Sequence, residues 1–402
     1  MPRTSATVVS SLCTVALLVA CTSTTGGTAS VHPSSGTSRS RPSAPSVPAP
    51  SGSAFAGTST RTAAQVLARM TEAQRVGQLL MVDCPSTGVS SAAITAITRS
   101  HVGAIILDGT TTQGMSATRA VTSRLQSYAP RGVRLLISTD QEGGEVQRLQ
   151  GSGFSTIPSG LAQGSMSTAT LRKRAKAWGR QLHEAGVNVD LGPVVDTVPA
   201  GFGSNPPIGD LDREFGHSPS IVAAHGVAVI DGLLAAGVDP TAKHFPGLGR
   251  VHGNTDTHAG VTDTLTTSHD PYLAPFQAAV NAGTPFLMMS TAIYDRIAPG
   301  VPAAFSSKIV TGMLRHQLGF RGVVISDDLG AAAQVSGYTY AQRAVDFIAA
   351  GGDMVLTVNP DATAAMTAAL LTRARASAAF RKKVNAAALT VLSAKQALGL
   401  LH

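Results

Sequence analysis

Two stretches of this sequence carry residues whose types and spacing could do covalent chemistry. In the first, the largely apolar run Arg321-Gly322-Val323-Val324-Ile325-Ser326 ends abruptly in Asp327 and Asp328. A carboxylate fixed at a strand end can attack an electrophilic carbon or balance positive charge that develops there. Asp also caps helices, so both readings stand on the residues alone, the cap falling to Asp328 if Asp327 faces a pocket. The second stretch runs from Lys243-His244-Phe245-Pro246-Gly247-Leu248-Gly249-Arg250 to Asn254-Thr255-Asp256-Thr257-His258, in a chain only 13% charged. Asp256 stands two residues before His258. In such a pair the carboxylate can fix the imidazole tautomer and raise its basicity, giving a proton donor and acceptor near neutral pH. A solvated loop pair is the plainer alternative.

Other polar residues suit binding rather than bond making. Asp140, Arg148, Arg213, Lys243 and His244 combine carboxylates with cationic donors, which can share vicinal hydroxyls in charge-assisted hydrogen bonds. Any one of them could instead form a structural ion pair. His244, His252, Asp256 and His258 lack the HExxH or His-x-His spacing of a metal site. No metal and no cofactor are expected.

These residues need a scaffold, and the rhythm of the chain supplies one. Short apolar runs fall at 77–82, 103–107, 133–138, 187–191, 238–243, 285–290, 323–326 and 354–358. Segments of helical period lie between and after them, at 91–99, 117–128, 170–185, 221–236, 272–282, 307–318, 340–350, 363–376 and 380–398. Strands alternating with helices predict an α/β fold, a (β/α)8 TIM-like barrel, with an open doubly wound sheet as the alternative. The Ala-Gly pairs at Gly186, Gly237, Gly283 and Gly351 predict left-handed helix stops. The polar residues above follow predicted strands, at the end where barrels of this class carry their sites. Lys243 and His244 should be rigid at a strand end, whereas Asp256 and His258, beyond glycine-rich sequence, should be mobile.

Composition bounds the rest. The hydrophobic content is 43% with 4% aromatic residues, which suits helices on a parallel sheet. The net charge of +8 favours anionic surroundings, but no basic block with interleaved aromatics is present, so no nucleic-acid binding is expected. Arg3 and the apolar run Val15–Ala20 predict a signal peptide over residues 1–20, too short for a permanent membrane span. Leu18-Val19-Ala20-Cys21 resembles a bacterial lipobox, which makes Cys21 the expected lipidation site. Residues 21–60 are rich in Ser, Thr, Pro, Gly and Ala and predict a disordered tether. Residues 61–402 then form one domain. Cys84 is expected to be a small buried hydrophobe.

Taken together, Asp140-Gln141-Glu142-Gly143-Gly144 with Val146-Gln147-Arg148, Lys243-His244-Phe245-Pro246-Gly247 and Ser326-Asp327-Asp328-Leu329 resemble glycoside hydrolase family 3. The resemblance covers nearly the whole folded part and is nearest to the single-barrel bacterial β-N-acetylglucosaminidase type. It implies a retaining exo-glycosidase with Asp327 as nucleophile, His258 paired with Asp256 as acid and base, and Asp140, Arg148, Arg213, Lys243 and His244 binding sugar hydroxyls. Two departures stand out: Leu248 occupies the place of a second family His, and the loop to His258 is longer than usual. His252 is therefore the alternative acid and base. No sandwich domain of the β-glucosidase kind is evident. The implied substrate is a GlcNAc-containing muropeptide or peptidoglycan fragment, acted on by a monomer anchored through lipid on Cys21. Its place would be the cell envelope, at the outer face of the cytoplasmic membrane, or partly secreted. A β-glucosidase, a broader exo-glycosidase or phosphorylase, and a non-catalytic sugar-binding lipoprotein are the rival readings.

Overall fold

The computed structural model describes residues 61–402. The predicted signal peptide, the tether and Cys21 lie outside the described residues. Eight parallel strands close into a barrel: β1 (Leu80–Pro85), β2 (Ala104–Asp108), β3 (Leu136–Thr139), β4 (Val189–Asp190), β5 (Asp239–Phe245), β6 (Phe286–Met289), β7 (Val323–Asp328) and β8 (Met354–Thr357). Strands adjacent in sequence are adjacent in space, and β8 returns to β1 with Leu80 opposite Val355. Every predicted strand is present, and closure excludes the open sheet.

The alternation of side chains along each strand explains why the barrel is filled. Met81, Ile106, Leu136, Val189, Phe286, Met288, Ile325 and Leu356 point inward to one core. Their neighbours Leu80, Val82, Ile105, Ile137, Leu287, Val324 and Val355 point outward against the helices. Full burial of each such side chain contributes about 1.5–3 kcal/mol, so an inward charge such as Ile325→Asp would disrupt the barrel. Cys84 is buried and free, as expected of a small apolar residue.

Helices 91–99 and 340–350 have the predicted bounds, and the helix stops are left-handed, with φ of +82° at Gly186, +79° at Gly237, +78° at Gly283 and +113° at Gly351. Three differences are informative. Residues 63–77 form two short helices, Ala63–Arg69 and Glu72–Gly77, which the sequence reading passed over. Each begins with a capping box, from Thr62 with Gln65 and Thr71 with Gln74. The predicted helix at 272–282 begins as a 3-10 turn, Pro271–Leu273, because Pro271 follows the Asp270 cap. The segment at 307–318 winds as a π-helix, Lys308–Gln317.

Candidate active site

The C-terminal ends of the strands surround a cleft of about 330 Å³, lined among others by Asp108, Asp140, Arg148, Arg213, Lys243, His244, Asp256 and Asp327. That size falls in the range of small-molecule sites. One wall begins at β3. Asp140 follows the strand directly, and a tight hairpin, Gln141–Gly143 with Val146–Gln147, turns the chain back so that Arg148 faces the same cleft. The turn needs glycine: Gly143 has φ +111°, and a Cβ there would meet the Pro158 carbonyl at 2.2 Å. Gln141 fastens the hairpin, its amide donating to the Leu149 carbonyl (2.8 Å) and accepting from the Leu149 N–H (2.9 Å).

Glu142 organises the cations. Arg213 donates to it in a two-bond fork at 2.9 and 2.7 Å, and Lys243 Nζ lies 2.6 Å from both Glu142 Oε1 and Asp140 Oδ1. Burial works against the charge of Glu142, but Arg213 and Lys243 outweigh it and hold the carboxyl well below its usual range. Burial likewise opposes the charges of Lys243 and Arg213. For Lys243, Asp140 and Glu142 outweigh it; for Arg213, Glu142 does so, and both cations are pushed up. Glu142, Arg213 and Lys243 thus each favour the charged form of the others. Asp190, beneath it, accepts from the Gln141 N–H at 3.1 Å and is raised to about 7 by burial.

Asp196 does for His244 what Glu142 does for Lys243. It accepts from His244 Nδ1 at 2.7 Å, from the His244 N–H, and from the Leu248 N–H at 2.8 Å. The ring is thereby oriented with Nε2 left free. Neither Glu142 nor Asp196 was assigned a role from sequence. The available signal was position, since each is a carboxylate just beyond a predicted strand. Arg148 differs from these residues: among the described residues its buried Nε has no hydrogen-bond partner, which leaves the guanidinium available to a ligand.

At the far wall, the two Asp of β7 divide their work. Asp328 accepts from the backbone N–H groups of Gly330, Ala331, Ala332 and Val358, at 2.7–3.1 Å. These bonds brace the bend after β7 against the end of β8; the expected helix cap is not formed, since the next helix begins at Tyr340 with Thr339 as its cap. Among the described residues Asp327 accepts only the Asp328 N–H, at 2.9 Å, and it lines the cleft. Burial pushes Asp327 up, and the charge of Asp256 adds to this while His244 opposes it. The structure thus gathers Asp140, Arg148, Arg213, Lys243, His244, Asp256 and Asp327 in one cleft.

The expected Asp256–His258 contact is not formed among the described residues. His258 is exposed, and its Nδ1 lies 2.8 Å from the Thr257 hydroxyl. His252 is also exposed. Its Nδ1 is 3.1 Å from the Ser204 carbonyl, and its ring stacks on Phe202 with centroids 4.5 Å apart. Neither imidazole lines the cleft. The stretch before Asp256, from Gly247 to Val251, is fastened at several points. Asn205 donates to the carbonyls of Leu248 (2.9 Å) and Val251 (2.8 Å), and the Tyr294 hydroxyl donates to the Gly247 carbonyl at 2.8 Å. Arg250 pairs with Asp270 at 2.9 Å over the Tyr272 ring. Leu248, in the place of the second family His, is buried.

Comparison with known proteins agrees with this geometry. The glycosyl hydrolase family 3 N-terminal domain matches residues 71–394. A β-hexosaminidase of Xanthomonas oryzae pv. oryzae is 33% identical over 329 residues, 80% of this chain and 93% of the relative. The crystal structure of a β-N-acetylhexosaminidase from Beutenbergia cavernae superposes with a TM-score of 0.81 at 47% identity, covering 82% of this chain and 99% of that one. A family 3 β-N-acetylglucosaminidase from Paenibacillus sp. superposes with a TM-score of 0.76 at 31% identity, over 82% of this chain and 63% of that one. With the motifs at the strand ends, the closed barrel and these likenesses, the chain belongs to glycosyl hydrolase family 3.

Proposed function

We propose that this chain is a retaining exo-β-N-acetylglucosaminidase that removes non-reducing GlcNAc from peptidoglycan fragments through a covalent glycosyl-enzyme intermediate. One observation carries the reading. A nearly free carboxylate, Asp327, shares a cleft with an anchored set of cations and carboxylates suited to sugar hydroxyls. Asp327 attacks the anomeric carbon while the aglycone oxygen is protonated, and water then releases the sugar with its configuration retained. Lys243, Asp140, Arg213 and His244 hold the ring in place, and Arg148 offers donors from the β3 side. The relatives named hexosaminidase and acetylglucosaminidase supply the identity of the sugar.

The same reading places the enzyme at the cell envelope. The signal peptide exports it, lipid on Cys21 holds it to the outer face of the cytoplasmic membrane with a fraction secreted, and it works as a monomer within reach of its tether. The lipobox-like sequence supports the anchor. The wild type should hydrolyse methylumbelliferyl-GlcNAc faster than the corresponding glucoside, with β-GlcNAc as the first product seen by NMR. Preference for the glucoside, or GlcNAc phosphate formed in phosphate buffer, would count against the reading. Cys21→Ala should move the protein from the membrane fraction to the medium; unchanged membrane association would sink the anchor.

A further inference from the structure

The end of the barrel opposite the cleft carries a second charged pocket. The segments that lead into β1, β2 and β3 enclose about 140 Å³ there, against about 330 Å³ in the cleft. Arg61, Arg69 and Arg131, all exposed, line it together with His101, and no acidic residue does. Among the described residues none of these three guanidinium groups is paired with a carboxylate, whereas those of Arg172, Arg213, Arg250, Arg315 and Arg375 are. The pocket is built into the fold. Gln78 lines it and is only 3% exposed; its Oε1 accepts from the buried Lys395 at 2.7 Å, and its amide donates to the His101 carbonyl at 3.4 Å. Val66, Met70 and Val133 supply an apolar wall and pack in a small core with Leu392 and Leu401. Beside Arg131, Gly132 turns the chain with φ +82°, and its carbonyl accepts from the His402 N–H at 3.1 Å.

We propose that this pocket takes the phosphodiester headgroup of an anionic membrane lipid, so that the barrel rests on the membrane with its cleft turned away from it. The proposal rests on the anchored reading above: a chain held by lipid on Cys21 reaches the barrel through Arg61, at the edge of the pocket itself. The chemistry of the lining selects the ligand. A guanidinium is a planar fork of donors that matches the oxygens of a phosphate. Three of them around a pocket of this size suit one phosphate with few attached atoms. A sugar ring, whose hydroxyls also donate, needs the carboxylate acceptors that the cleft has and this pocket lacks.

The strength of the contact fits this task. Each arginine near an anionic lipid surface strengthens binding about fivefold. Three hold a free protein only weakly, but a tether that keeps the pocket close to headgroups makes the contact effective. Lipid on Cys21 thus holds the enzyme, and the pocket sets which end faces outward. The net charge of +8 adds a general attraction to the same surface.

The test uses the Cys21→Ala protein recovered from the medium, which carries no lipid of its own. It is titrated with vesicles of pure phosphatidylcholine, or of phosphatidylglycerol and phosphatidylcholine in equal parts. Partition at low salt should be on the order of 100-fold greater onto the anionic vesicles, and should fall as salt rises. Adding Arg69→Gln with Arg131→Gln should cost about 25-fold. Adding Lys173→Gln with Arg174→Gln, equally exposed on the helix Thr168–Glu184, should cost far less. Thermal unfolding and aryl-GlcNAc turnover should be unchanged in both double variants. Equal partition onto the two kinds of vesicle would overturn the proposal, as would equal loss in the two double variants or full binding by Arg69→Gln with Arg131→Gln. Stabilisation against heat by glycerol phosphate, without vesicle binding, would overturn the lipid in favour of a soluble phosphate ester. If mass spectrometry finds no lipid on Cys21 of the wild type, the anchored reading alone fails. The secreted wild type then enters the same titration, which still decides the role of the pocket.

Discussion

The β3–β5 side of the cleft and the β7 side use charge in opposite ways. On the first side Asp140, Glu142, Asp196, Arg213, Lys243 and His244 form closed pairs at 2.6–2.9 Å, so each group is held in place by another. On the second, among the described residues, Asp327 accepts a single amide and the Asp256 carboxylate has no hydrogen-bond partner. Paired groups are fixed in position, which is what binding a sugar requires. Free carboxylates can change bonding partner or proton during a reaction, at the cost of lying near each other in a partly buried site. Binding and bond making are thus assigned to different walls.

The comparison can be broken in stages, in order of effect on turnover. Asp327→Asn keeps the shape of the β7 end and removes the nucleophile; kcat for methylumbelliferyl-GlcNAc should fall on the order of 10,000-fold or more, with an unchanged circular dichroism spectrum. Glu142→Ala attacks the paired side. It leaves Arg213 and Lys243 short of a partner in a site where Glu142 is only 7% exposed, and should cost about 3–5 kcal/mol in denaturant unfolding, with a raised KM. The folded-state value of Glu142 lies below its ordinary 4.5, so its stabilisation is present above that pH and lost as pH falls through the acid range. The gap between wild type and variant should accordingly narrow on acidification.

Arg148→Ala sharpens the distinction, since Arg148 belongs to the paired wall by position but its Nε has no partner among the described residues. It should weaken kcat/KM by about 10- to 100-fold through lost charged hydrogen bonds to substrate, with stability kept. The smallest effect on turnover belongs to the opposite end of the barrel. There Lys395 Nζ, fully buried, donates to Gln78 Oε1 at 2.7 Å and is lowered by burial to about 7. Between about pH 7 and 10.5 the unfolded chain carries the proton that the native state sheds, so stability rises with pH across that window. Lys395→Met should leave turnover unchanged and remove that slope in denaturation curves taken across the range.

How far the sequence could be read follows from the range of the forces involved. The eight strands and the left-handed helix stops were legible because alternation and glycine conformation act locally. Asp327 was legible because an apolar strand ends on it. The paired charges were only half legible: Lys243 and Arg213 stood out, while Glu142, about a hundred residues from Lys243 in sequence, becomes their organiser only through the closed barrel. The spacing of Asp256 and His258 suggested a contact that the fold does not make. Asn205, Tyr294 and Gln334, each distant in sequence, set the path of that loop instead, and nothing within the loop announces them.

The central claim is that Asp327 forms a covalent bond to GlcNAc, and trapping tests it most directly. The wild type would be incubated with a fluorinated GlcNAc fluoride that slows release of the sugar, digested, and mapped by mass spectrometry. The account predicts one fluoro-GlcNAc added to the peptide containing Asp327, and no label in Asp327→Asn. A label on another residue, or steady turnover to an inverted product with no adduct, would contradict it.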